Sequence, residues 1–417
     1  MACVLSSPIG RMPTEPENAS SSSPPVAPGL GRRRALLAAG AVLAAGVGAA
    51  AGELADGDRP PGRATALGGP PSEAPAPFHG ARQSGLTSRQ LPATKLVAFD
   101  LPPTSAAADR EALRTLLAGW TRILAAATAG SGPSPDPRLR ADGTTRLTSL
   151  VGLGSALATR LGLAVPAGLA ELPPFPGDRL DPARSGGDVL LQLCAADHWT
   201  LAVVTELATT AAHSAGATPR WSQSGFLPGT EPGATPRNLF GFKDGTANPD
   251  EDAARQWVWG PPGPHENATV LVYRRIRMDT AAFAALPEEK QNLAMGRRAG
   301  DGAPLTGTAE HDEPDLYAKH PDGAYVIPAA AHVRLTGPRL DGGARMLRRG
   351  YSYDDAPGDR GLLFCAFMRD PGQFTRVQDR LAARDALNPF VEHTASAVAY
   401  VLPGASEGTS LGDHLWS

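Results

Sequence analysis

The stretch Arg237–Asp250, Arg-Asn-Leu-Phe-Gly-Phe-Lys-Asp-Gly-Thr-Ala-Asn-Pro-Asp, sets one carboxylate, Asp244, between Gly241 and Gly245 and closes on the pair Asn248-Pro249. Asp-Gly followed by Asn-Pro is turn chemistry, so taken alone the passage reads as a solvated turn. Glycine on either side also lets the backbone take positive φ or approach a ligand closely, with no Cβ in the way. What flanks the stretch decides between these readings.

Upstream, the apolar spacing predicts a strand over Lys95–Leu101 and a helix over Asp109–Ala127, with Leu113, Leu116, Leu117, Trp120, Ile123 and Leu124 on one broad stripe. A strand over Leu147–Leu153, a helix through Leu163, a strand over Asp188–Cys194, a helix over Thr200–Ala212 and a strand near Trp221 follow. That order is the order of a ferredoxin-like α+β unit. Downstream a second cycle runs through strands at Thr269–Arg274, His332–Leu335, Arg345–Tyr353, Gly361–Met368 and Ala397–Leu402. Its helices are expected from Asp279, over Glu288–Gly300 and over Phe374–Asp385. The expected fold class is α+β: two ferredoxin-like domains, each an antiparallel sheet with helices, joined near residues 225–255. The pattern carries this; no sequence repeat does.

A chain of 417 residues with a formal net charge of −3 and scattered Lys and Arg lacks the basic face of a nucleic-acid binder. Its three cysteines, Cys3, Cys194 and Cys365, cannot make a disulfide framework, and no Cys/His spacing suits structural zinc. Near the start, Arg32-Arg33-Arg34 precedes an Ala/Gly-dominated apolar run, Ala35 to Ala51, too short for the ~20 residues of a spanning helix. This reads as an export signal of the twin-arginine type, which carries folded proteins, often with a cofactor already inserted. The expected organisation is signal and disordered N-terminus over 1–56, linker over 57–76, and domains over 77–236 and 237–417.

Among nine histidines, His332 stands apart, set between Ala329-Ala330-Ala331 and Val333 rather than in a polar loop. Imidazole suits iron when one ring nitrogen donates to the metal and an acceptor fixes the other. Arginines gather at Arg345, Arg348 and Arg349. On one strand Arg348 and Arg349 face opposite sides, so only one can enter a given pocket.

Gly241-Phe-Lys-Asp244-Gly245-Thr246-Ala247-Asn248-Pro249 resembles the GxxDG signature of the dye-decolourising (DyP-type) peroxidases. Phe78-His79-Gly80, Gln83-Ser84-Gly85 and Val97–Asp100 resemble that family's N-terminal part, and Leu402-Pro403-Gly404 its end. His332–Leu335 resembles its haem-ligand strand and Leu347–Tyr353 its distal-arginine strand. The exported form is similar to the family's deferrochelatase/peroxidase branch, associated with iron uptake.

The resemblance implies two ferredoxin-like domains of the dimeric α+β barrel type, with haem b held mainly by the second. It implies a homo-oligomer that reduces hydrogen peroxide through a ferryl intermediate and oxidises bulky organic or porphyrin substrates. The alternative is a deferrochelatase that releases iron from haem. His332 would be the proximal ligand, Asp244 the distal acid/base and Arg348 the distal arginine. Gly245, Thr246, Ala247, Gly337 and Pro338 would line the haem, Arg339 would meet a propionate, and Asp385 would orient His332. Two departures from the family pattern stand out. Gly337-Pro338-Arg339 replaces the family's frequent Asn-Pro-Arg, and the spacing from His332 leaves Arg348 against Arg349 open. Tyr351, Tyr353 and Trp221 are candidates for electron transfer at the surface, against the commoner reading of such aromatics as core or pocket-wall residues.

Overall fold

The computed structural model describes residues 76–129, 136–139, 146–166, 168–231 and 233–416. The export signal, and all but the last residue of the linker, lie outside the described residues. The described residues form one compact unit.

The first half runs α1 (Ser84–Thr87), β1 (Ala93–Asp100), α2 (Ala106–Ala129), β2 (Leu147–Gly154), α3 (Ser155–Leu161), β3 (Val189–Ala195), α4 (His198–Ser214) and β4 (Thr218–Phe226). The second runs α5 (Glu251–Trp257), β5 (Thr269–Met278), α6 (Thr280–Ala284), α7 (Glu288–Met295), α8 (His332–Leu335), β6 (Leu347–Arg348), β7 (Tyr351–Ala356), β8 (Asp359–Met368), α9 (Gly372–Arg384) and β9 (Val391–Val401). Within the first half the sheet order is β2-β3-β1-β4, and within the second β7-β8-β5-β9. Both are the same permutation of first, second, third and fourth strand, β6 being a short extra strand on β8.

The two half-sheets are not separate. β2 pairs β9, and β4 meets β7 at Phe226↔Ser352, so the strands close into one antiparallel ring. Closure removes the exposed edges that two isolated four-stranded sheets would present.

Strand alternation sorts the core. On β1, Val97 and Phe99 face α2 and α4, whereas Leu96 and Ala98 point to the other side. On β5, Val270 and Val272 face outward to Phe374 of α9, whereas Leu271 and Tyr273 point inward. The inward set from all the long strands forms one cluster inside the ring. Trp120 of α2 is fully buried against Phe99, and its Nε1–H donates to Ala208 O at 2.8 Å, locking α2 onto α4. Trp120→Ala is expected to cost about 3–5 kcal/mol, read as a lowered midpoint in chemical denaturation.

Three expectations are corrected. His332–Leu335 is one helical turn, not a strand. Arg345–Tyr353 is not a continuous strand but breaks at Arg349-Gly350 between β6 and β7. The helix expected to reach Gly300 stops at Gly296. That glycine has φ +87°, and a Cβ there would lie 2.3 Å from Val333 Cγ1, so only glycine lets α7 end against α8. The segment between β5 and β6 is thus one long connection in place of a single crossover helix, and it carries His332. No helix among the described residues is long and apolar enough to cross a membrane.

Candidate functional site

The opening stretch is a turn, and its carboxylate belongs to a pocket. Asp244 N–H bonds Pro236 O at 2.8 Å, and Asn238 N–H bonds Phe242 O at 2.9 Å, folding the passage back on itself. Gly241 has φ +86° and Gly245 φ +113°, conformations that a side chain would strain. Asp244 Oδ1 lies 3.7 Å from Arg348 Nε, with both side chains about one-third exposed. Asp244 and Arg348 line one small pocket together with Gln90, Asn238 and Leu362.

The break after β6 settles which arginine faces Asp244. Arg348 does. Arg349 turns the other way, is 6% exposed, and donates from Nη2 to Ser88 O at 2.6 Å. Burial lowers its pKa, with Tyr351 among the groups that oppose the shift.

Two residues absent from the sequence reading brace this turn. Glu310 accepts from Thr235 Oγ1 and, at 3.0 Å, from Thr246 Oγ1, and it pairs with Lys243. It therefore grips both flanks of Asp244. Burial alone would raise the Glu310 carboxyl, but its bonds to Lys243, Thr235 and Thr246 outweigh that and hold it below its ordinary value. Arg297 donates to Gly302 O and Glu310 O, each at 2.8 Å. Its pKa is lowered by burial and then by the nearby charge of Arg348. Nothing in the sequence marks Glu310, which sits in a polar loop 64 residues from Thr246.

His332 Nδ1 lies 2.6 Å from Asp385 Oδ2. Asp385 ends α9, and its Oδ1 accepts from Leu387 N–H at 3.0 Å, so the carboxylate cannot swing. Ala386 N–H bonds Ala330 O at 2.9 Å, tying the end of α9 to the residue two before His332. A carboxylate on Nδ1 fixes the tautomer and leaves Nε2 as the free donor. Among the described residues no protein group bonds Nε2, and the ring is about one-third exposed beside a nearly buried aspartate. That donor set fits an axial ligand of haem iron.

Of the other expected residues, Thr246 donates to Glu310 and Ala247 is exposed. Gly337 precedes a short 3-10 turn, Pro338–Asp341. Arg339 on that turn is 58% exposed and pairs with Glu313 at 3.0 Å. Tyr351, Tyr353 and Trp221 are buried inside the ring, as core residues and not as surface ones. Trp221 stacks on Tyr273 with centroids 5.2 Å apart. Cys194 and Cys365 are free, buried, and in that same interior cluster. His393 accepts at Nδ1 from Arg274 Nε–H at 3.1 Å, and burial followed by the Arg274 charge pushes its pKa down to about 3.

A carboxylate–arginine pair and a carboxylate-backed histidine stand on a ring made of two ferredoxin-like halves, the fold of the two-domain α+β peroxidases. The chain belongs to the Dyp-type peroxidase family: the family's N-terminal model matches residues 83–227 and its C-terminal model residues 235–406. It is 40% identical over 293 residues to a dye-decolorizing peroxidase of Thermobifida fusca, covering 64% of this chain and 66% of that one. It is 36% identical over 365 residues to a deferrochelatase of Yersinia pseudotuberculosis, covering 79% and 82%. A DyP-type peroxidase structure from Cellulomonas bogoriensis superposes with TM-score 0.76 at 40% identity, over 82% of this chain and 98% of the other. Ferric DtpA from Streptomyces lividans gives 0.75 at 35%, over 84% and 98%.

Proposed function

We propose that this protein is a haem b peroxidase that reduces hydrogen peroxide with electrons from bulky organic or porphyrin donors. The observation that carries the reading is the Asp244–Arg348 pair, a proton acceptor and a fixed cation facing one small pocket. The carboxylate-held His332 supports the cofactor assignment, as its Nε2 is left free and would be the ligating atom. When bound, the haem supplies the redox chemistry, passing two electrons to peroxide and recovering them from the reductant. Asp244 takes the proton from one peroxide oxygen and returns it to the oxygen that leaves as water. Arg348 stabilises the negative charge that builds on the departing oxygen, a role that needs a cation already in place. Glu310, by gripping Lys243 and Thr246, keeps the Asp244 carboxylate from relaxing into solvent.

On this reading the domains are 77–236 and 237–417, and the second holds the haem. Export by the twin-arginine route to the periplasm, cell surface or medium is part of the proposal, supported by Arg32-Arg33-Arg34 and the apolar run after it. Rapid mixing of the haem-loaded protein with hydrogen peroxide should shift the Soret band, and an anthraquinone dye should then bleach only when peroxide is present. An unchanged Soret band would overturn the reading.

The similarity to a protein named deferrochelatase favours a second reading, release of iron from haem with the porphyrin left intact. Incubation with haem under reducing conditions, followed by separate assay of free iron and protoporphyrin, tests it. Absence of both products removes it.

A further inference from the structure

We infer that Asn248 is a positioning residue that sets the distance between Asp244 and Arg348 by pairing its side-chain amide with the Arg348 backbone. The inference rests on the reading of Asp244 and Arg348 given above. Arg348 sits on β6, a two-residue strand held by β8 through Leu347↔Phe367 and Arg348↔Ala366. Arg349 N–H bonds Cys365 O at 2.8 Å on the β8 side. By strand alternation the N–H and C=O of Arg348 itself then point away from β8, where no further strand covers them. Asn248 fills that place. Its Nδ2 donates to Arg348 O at 2.8 Å, and its Oδ1 accepts from Arg348 N–H at 2.9 Å.

One carboxamide thus satisfies both orphan groups of an edge residue, as a paired strand would, across 100 residues of sequence. Asn248 is itself held. Its N–H bonds Gly245 O at 2.9 Å, within the turn that carries Asp244. Two residues on, Asp250 caps α5 by accepting from Ala253 N–H at 2.8 Å. The chain from Asp244 to Asn248 is therefore a rigid arm, and the double bond at its tip fixes the backbone from which the Arg348 side chain projects. No other side chain among the described residues hydrogen-bonds both the N–H and the C=O of Arg348. The residue type is restricted: Ala offers neither group, Asp lacks the donor, and only a carboxamide supplies one of each at this length.

The test uses the haem-loaded full chain with Asn248→Ala and Asn248→Asp, read in two independent ways. Hydrogen–deuterium exchange of the peptide containing Arg348 reports the pairing without reference to activity. The Arg348 amide should exchange faster in Asn248→Ala, and Asn248→Asp, which keeps the acceptor, should retain protection. The rate with hydrogen peroxide should fall by about 10- to 100-fold in Asn248→Ala, the penalty of an active group misplaced by roughly 1 Å. Haem content, the ferric spectrum and the KM for the reductant should stay at wild-type values.

Unchanged exchange together with an unchanged peroxide rate overturns the inference. So does a rate loss matched by an equal loss of bound haem, which is what a merely structural role would give. A wild-type protein that does not react with peroxide at all defeats the functional reading instead, and the exchange experiment still decides whether Asn248 holds Arg348.

Discussion

Asp244→Asn is expected to lower the rate of reaction with hydrogen peroxide by about 100- to 10,000-fold, the range that a positioned general acid/base contributes. The substitution is nearly isosteric. It keeps the backbone bond from residue 244 to Pro236 O and leaves the Glu310 bonds to Lys243 and Thr246 untouched. What it removes is the oxygen that can take a proton, together with the charge facing Arg348 at 3.7 Å. Haem content and the ferric spectrum should therefore remain as in wild type while stopped-flow traces with peroxide slow. Arg348 still holds charge in the pocket, so activity should be reduced and not abolished. A wild-type rate in Asp244→Asn would move the proton transfer to another group, and the Asp244 assignment would fall.

His332→Ala should abolish the ferric spectrum of the wild type or reduce the haem recovered with the protein. No other histidine among the described residues is hydrogen-bonded to a buried carboxylate through one nitrogen with the other unbonded. Asp385→Asn is the graded partner of that experiment. It keeps an acceptor oxygen near His332 Nδ1 but loses the charge that makes the ring a stronger donor. Partners of this kind are worth about 10- to 100-fold in affinity for the metal. Haem titration of the apo-protein should therefore rank wild type above Asp385→Asn, and Asp385→Asn above His332→Ala. If His332→Ala binds haem with an unchanged spectrum, the axial ligand lies elsewhere.

The regular parts of the fold were legible because their physics is local. A helix stripe such as Leu113, Leu117, Trp120 and Leu124 and a strand such as Val189–Ala195 declare themselves through period, and both occur near the expected bounds. The second half shows where period fails. His332–Leu335 has four residues, too few to separate one helical turn from a strand by periodicity. At the break between β6 and β7 the Arg349 guanidinium donates to Ser88 O, 261 positions away, a contact that no local pattern records. Beside two arginines Tyr351 and Tyr353 read as either surface or core aromatics, and ring closure places them in the interior.

By itself the sequence determined the two α+β cycles and the family to which they belong, and it singled out the residues proposed to carry chemistry: Asp244 between its glycines, His332 among alanines, an arginine pair before Gly350. Hydrophobic period, glycine freedom and side-chain chemistry are written residue by residue. Tertiary structure alone decided that the two sheets are one ring, that Arg348 and not Arg349 meets Asp244, and that Glu310 and Asn248 brace the turn. Each of those outcomes depends on groups 60 or more residues apart competing for the same few hydrogen bonds, and no local pattern records the winner.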